Sequence, residues 1–196
     1  MSDDPVVTSS GSDDDAFPDV LAAAKKGDDR AVEWLFVRLQ PRLTRFLVAQ
    51  EPRVAEDIAG EVWLAVAGQI ARFEGSWPEF RGWLFSIARR RLADHRRTAI
   101  RRQTAVEAAV LDFRPTQDPP DKLALDAMSG QEAAKLITST LRGDQAEVLL
   151  LRLLADLDVD QVAQIMHRTS NWVRVTQHRA LLTLAKRVGS KIDVIG

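Results

Sequence analysis

FRGWLFSIARRRLADHRRTAIRR, Phe80 to Arg102, is the stretch whose reading decides the fold. It is a helix with two characters. Trp83, Leu84, Ile87, Ala88, Leu92 and His95 recur at steps of three and four, which gives one stripe for a core. Arg89, Arg90, Arg91, Arg96, Arg97, Arg101 and Arg102 put seven arginines into fourteen residues, against a single Asp94. A guanidinium stays charged and forks onto phosphate oxygens, so this face suits a nucleic-acid backbone. A solvated basic face or a localisation patch has the same composition, and the helix alone does not choose between them.

The rest of the chain bounds the choice. Its 196 residues suit one large domain or two small ones. The net charge is −1, but Asp3, Asp4, Asp13, Asp14 and Asp15 sit in a first segment without a base, which leaves the remainder at +4. There is no cysteine, hence no disulfide framework, thiolate metal site or thiol nucleophile. The N-terminus is acidic and Ser-rich, the opposite of a signal peptide, and no apolar run approaches the roughly 18 residues of a membrane span. The expectation is a cytoplasmic protein with no metal and no cofactor. His95, His167 and His178 are scattered and no Gly-rich phosphate loop occurs, so no enzyme chemistry is expected.

Toward the N-terminus, residues 1–16 have little to bury and read as a disordered acidic tail. Asp19 to Lys26 makes a short helix closed by Gly27, and Asp28 caps a helix from Asp29 to Gln50. The apolar stripe of that second helix is Ala31, Val32, Leu35, Phe36, Leu39, Leu43, Phe46 and Leu47, and Pro41 kinks or splits it. Arg53 to Phe73 carries a helix with Val54, Ile58, Val62, Val66 and Ile70 on one side and Glu56, Asp57 and Glu61 on the other. That acidic group is a solvated face or a protein-docking face. Glu74 to Glu79, EGSWPE, reads as a loop. Trp77 within it either packs back on the bundle or offers a stacking surface to an unpaired base.

Toward the C-terminus, residues 103–128 hold Pro115, Pro119 and Pro120 and a net charge of −3. They read as an acidic linker between two helical domains, with room for a short helix from Thr104 to Leu111. Beyond it, Ser129 with Glu132, Asp144 with Glu147 and Asp158 with Gln161 repeat one capping-box spacing, starting helices to Leu141, Asp156 and Met166. The turn HRTS precedes a last helix, Ser170 to Val188, with Val173, Ala180, Leu181, Leu184 and Val188 inward, and 189–196 is a tail. A helix of about eight residues, a tight turn and a longer helix is the helix-turn-helix arrangement. Its outward residues are Asn171, Arg174, Val175 and His178, flanked by Arg168 and Arg179. Arg can read guanine, Asn adenine, and Val a thymine methyl. An ordinary helical hairpin with a polar face shares the pattern.

Four stretches in this order resemble the extracytoplasmic-function group of RNA polymerase sigma factors: AAAKKGDDRAVEWLFVRLQPRLTRFL, AEDIAGEVWL, FRGWLFSIARRRLADHRR and AEVLLLRLLADLDVDQVAQIMHRTSNWVRVTQHRALLTL. The resemblance covers about 17–102 and 129–188. It implies an all-α chain of two domains, region 2-like over 17–102 and region 4-like over 129–188. It further implies docking of Glu56, Asp57, Glu61 and Trp63 on a coiled coil of the polymerase large subunit, and contact of the C-terminal domain with the polymerase flap. Trp77 and Arg89, Arg90, Arg91, Arg96, Arg97, Arg101 and Arg102 fall where the family binds and melts the minus-ten element. Arg168, Asn171, Arg174, Val175, His178 and Arg179 fall where it reads minus-thirty-five. The acidic linker resembles the segment that threads the RNA channel. Many members are held by an anti-sigma factor and serve stress responses.

The departures are Gly60 for a usual Gln, Ala67 for an aromatic, His167 for a turn Gly, Asn171–Trp172 for Gly-Thr and Gln177 for an inward Leu. Without the turn Gly, His167 must take an awkward backbone or the turn must differ. The alternative to a sigma factor is a stand-alone helix-turn-helix regulator whose N-terminal bundle dimerises. A helical adaptor that binds only protein is a third reading.

Overall fold

A computed structural model describes residues 10–107 and 130–192. The helices are α1 Ser10–Ala24, α2 Asp29–Val48, α3 Ala55–Gln69 with a 3₁₀ turn Ile70–Arg72, α4 Trp77–Glu107, α5 Gly130–Thr140, α6 Asp144–Leu153, α7 Val159–Met166 and α8 Ser170–Ile192. The chain is all-α, as expected, and no strand occurs among the described residues. No described helix is long and apolar enough to cross a membrane. Residues 1–9, 108–129 and 193–196 lie outside the description, and with them most of the proposed linker and the Ser129 cap.

Helices α1 to α4 close around Phe17, Leu35, Leu39, Phe46, Val62, Leu84 and Phe85, all buried. Helices α5 to α8 close around Ile137, Val148, Leu149, Val162, Val173 and Ala180. The α4–α7 contact joins the two sets.

Four helices differ from the sequence reading. Helix α1 takes in residues 10–16, which composition assigns to a disordered tail. Asp13 accepts from Arg38 Nε at 2.7 Å, and Phe17 is only 1% exposed, so tertiary contacts order a segment that has little apolar content of its own. Asp13 to Asp15 also lie near a helix N-terminus, where negative charge is favoured. Helix α2 runs unbroken through Pro41 rather than splitting. Helix α4 begins three residues early and ends at Glu107, five residues into the proposed linker, while α8 reaches Ile192 within the proposed tail.

The caps follow the sequence closely in most places. Gly27, at φ 81°, ends α1 with Gly27 N–H donating to the Ala24 carbonyl and Asp28 N–H to that of Ala23. This is the paired C-terminal bond pattern that a left-handed residue allows. Asp28 accepts from Ala31 N–H at 2.9 Å, and Asp158 with Gln161 forms both bonds of its box. Asp144 does not cap α6. The N-cap is Gly143 with no side-chain bond, and Glu147 turns elsewhere.

Candidate nucleic-acid and protein interfaces

The helix-turn-helix is built by α7, a turn and α8. His167 takes the left-handed backbone, φ 53° and ψ 49°, that the absent glycine would have taken more easily. It is held by His167 N–H to the Gln164 carbonyl and Arg168 N–H to that of Ala163. Thr169 then accepts from Trp172 N–H at 3.2 Å and opens α8. Val173 and Ala180 are fully buried, so they fix the rotation of the helix. Arg168, Asn171, Arg174, Val175, His178 and Arg179 are all exposed. Residues 171, 174, 175 and 178 follow the three-and-four spacing of one helical face. Leu181, assigned inward, is 45% exposed instead, because the stripe through Val173, Ala180 and Leu184 already fills the available core. Gln177, where a Leu was expected, accepts from Arg152 Nε at 3.3 Å, and Arg152 also reaches the Leu157 carbonyl. The polar residue is thereby satisfied at the helix boundary. Arg168 lies 5.3 Å from the Trp172 ring, a cation–π distance.

Helix α4 presents the arginines as a graded set rather than a free row. Arg89 forks onto Glu147 at 2.8 and 3.3 Å. Arg96 donates to Glu51 at 2.9 Å, Arg97 to Asp94 at 3.0 Å, and Arg91 lies 3.8 Å from Glu61. Arg90 is exposed with no ion pair among the described residues, and Arg101 donates to the Arg97 carbonyl. The Arg102 side chain lies outside the description.

Trp77 is a correction. It is the first residue of α4, not part of a loop, and is 4% exposed. Its ring centroid lies 5.3 Å from Phe17 and 5.2 Å from Trp34, so no stacking face is offered to a base. The cause is a helix start that the loop-forming composition conceals, with the Glu79 side chain reaching back to Ser76. Ser76 N–H and Oγ both donate to Glu79 Oε2, at 2.7 and 2.8 Å. These bonds, the backbone one first, hold the Glu79 carboxyl below its ordinary value. A Cβ at Gly75 would stand 2.9 Å from Glu79 Oε2 and 3.1 Å from the Phe73 ring, which explains glycine there.

Glu56, Asp57 and Glu61 are exposed along α3. Trp63 is half-buried, donates from Nε1 to Gln40 Oε1 at 2.7 Å and packs on Phe36 at 5.2 Å. Around this pair Val32, Phe36, Val37 and Leu64 are 44, 43, 60 and 75% exposed. Val32 and Phe36 were assigned to the buried stripe. The apolar arc of α2 is wider than its partners cover, and Phe36 with Val37 lines a shallow groove with Gln40, Pro41, Thr44 and Arg45. This apolar component of the face was legible only as an over-wide stripe.

Comparison with known proteins follows this geometry. The Sigma-70 region 2 family model matches residues 35–102. The ECF RNA polymerase sigma factor SigD of Mycobacterium tuberculosis is 31% identical over 176 residues, spanning 86% of this chain and 82% of that protein. ShbA, an ECF sigma factor of Streptomyces griseus, is 31% identical over 171 residues, spanning 82% and 89%. In fold, the chain resembles the sigma factor RpoE solved with the anti-sigma factor NepR from Bartonella quintana, with a TM-score of 0.62, 20% identity and coverage of 81% and 96%. It resembles CnrH, solved with the cytosolic domain of CnrY, at a TM-score of 0.60 and 19% identity.

Proposed function

Because the chain belongs to the extracytoplasmic-function RNA polymerase sigma factors, we propose that it directs initiation by splitting promoter recognition between its two halves. The α2–α3 face, with Glu56, Asp57, Glu61, Trp63 and the exposed apolar residues beside them, binds core polymerase. Acidic groups steer the encounter and fix register, and the apolar strip supplies desolvated contact. The α4 arginines follow the backbone of the minus-ten region. Helix α8 enters the major groove at minus-thirty-five.

One observation carries this reading. Arg168 is exposed in the tight left-handed turn itself, and Asn171, Arg174, Val175, His178 and Arg179 stand exposed on the helix that follows it. In a helix-turn-helix those are the residues that meet base edges. Arg and Asn there supply bidentate readout, each good pair contributing about 1–3 kcal/mol of discrimination. Trp77 has no part in the proposal.

The test is promoter binding by the polymerase-bound chain. Arg174→Ala and Arg179→Ala should each weaken specific binding about five- to 150-fold while the helix stays folded. Full-strength binding by the double variant would remove α8 as the reader. Equal binding without polymerase, on palindromic sites, would support a stand-alone regulator.

A further inference from the structure

Trp172 stands in the first turn of α8, half-buried and packed against the hydrophobic core. Its N–H donates to Thr169 Oγ1 at 3.2 Å, which fixes its backbone. Ser170 Oγ donates to Asp160 Oδ1, which ties the start of α8 to the first turn of α7. The indole has only two side-chain torsions, so a ring packed in this way is held at little cost in conformational freedom. It occupies the position where the family's usual pair has Thr, a side chain with no face to stack on.

Arg168 lies four positions earlier, in the turn rather than in a helix. Its backbone is fixed by its N–H on the Ala163 carbonyl and by the left-handed His167 before it. Its guanidinium carbon is 5.3 Å from the centroid of the Trp172 ring. Arg168 has no carboxylate partner among the described residues. On α4, by contrast, Arg89, Arg96 and Arg97 are each held by a carboxylate, which a phosphate has to displace. A ring restrains a guanidinium without neutralising it, and its N–H edge stays free to fork onto two oxygens. A long side chain restrained before binding also loses less freedom on binding.

We propose that Trp172 is a positioning residue whose ring holds Arg168 ready to fork onto a DNA backbone phosphate beside the minus-thirty-five element. The inference rests on reading α8 as the helix that enters the major groove. In that geometry the first helix crosses the backbone and the second carries the base contacts. The turn between them lies at the edge of the groove, where a cation meets phosphate rather than a base edge. Arg168 then sets register and affinity, and sequence is left to the residues of α8.

The test is a double-mutant cycle on the polymerase-bound chain, read as binding to a promoter fragment found by transcript mapping. Trp172→Leu keeps an apolar side chain against the core and removes the aromatic face. It should weaken binding about two- to fivefold, the range of an exposed cation–π contact, and Trp172→Phe should recover most of that loss. In an Arg168→Ala background Trp172→Leu should have no further effect. Arg168→Ala should weaken the promoter and the same fragment with a scrambled minus-thirty-five sequence by equal factors, and should lower the salt slope by about 1. Equal losses from Trp172→Leu in both backgrounds would make Trp172 structural and overturn the proposal. A loss from Arg168→Ala confined to the unscrambled promoter would make Arg168 a base reader and overturn the phosphate assignment. A parent chain that binds the intact and scrambled fragments alike would overturn the reading of α8, and the proposal with it.

Discussion

Trp77→Ala should destabilise the N-terminal bundle severely. The side chain is 4% exposed and sits between Phe17, Trp34 and Phe80. An aromatic side chain of this class buries about 150–250 Å², which at about 25 cal/mol/Å² corresponds to roughly 4–6 kcal/mol of transfer free energy. Truncations of buried aromatics to alanine cost about 3–5 kcal/mol once partial collapse is included. The low end is not expected here, because Phe17 and Trp34 each lose a ring partner within 5.3 Å. The backbone change is mild, since alanine is a good residue for a first helical turn. Urea unfolding followed by far-UV circular dichroism reads the effect. With a slope of about 1–3 kcal/mol/M the midpoint should fall by at least about 1 M. Trp77→Phe should recover more than half of that loss. A midpoint within about 0.3 M of the parent, accompanied by lost promoter melting, would refute the reasoning. It would return Trp77 to the role of a stacking surface.

Three further outcomes are expected. His167→Gly should raise stability by about 0.5–1 kcal/mol, because glycine takes the left-handed backbone without a Cβ penalty; unchanged or lower stability by the same urea assay would mean the turn is not strained. Glu79 has a lowered folded pKa, so its contribution is full above the unfolded carboxylate value of about 4.3 and is lost as pH falls through the folded value. The stability difference between the parent and Glu79→Gln should therefore shrink on titration below that range, and a difference constant with pH would contradict the capping role. Glu56→Lys with Asp57→Lys should abolish co-elution with core polymerase while lowering stability only modestly, by about 0.3–1 kcal/mol per charge reversed in the first turn of α3, since both side chains are exposed; undiminished co-elution would remove the acidic group from the docking face.

The elements with strong periodicity were legible from sequence alone. Leu35, Leu39, Leu43 and Leu47 form a ladder that only a buried helical face explains, and all four are buried. The Asp28 and Asp158 caps were equally readable, because the side chain that caps is adjacent to the backbone it serves. The misreadings share a cause. Asp13 and Phe17 order α1 through partners on α2 and α4, which no local window contains. Glu147 has capping spacing but is drawn to Arg89, 58 positions away in the chain. Ser76 to Glu79 was hidden because Gly, Ser and Pro form loops and helix starts alike. On α8 the outward set was legible because Val173 and Ala180 fix the rotation. On α2 the stripe was over-wide, and nothing in the sequence said that Val32 and Phe36 would be its uncovered edge.

The most direct measurement is transcription in vitro. The purified chain is added to core RNA polymerase on fragments of its own upstream DNA, with each component omitted in turn. Discrete start sites that require both components are expected, and Arg174→Ala with Arg179→Ala should weaken them. Start sites formed by core polymerase to the same extent without the chain, on fragments that the chain nevertheless binds tightly alone, would contradict the account.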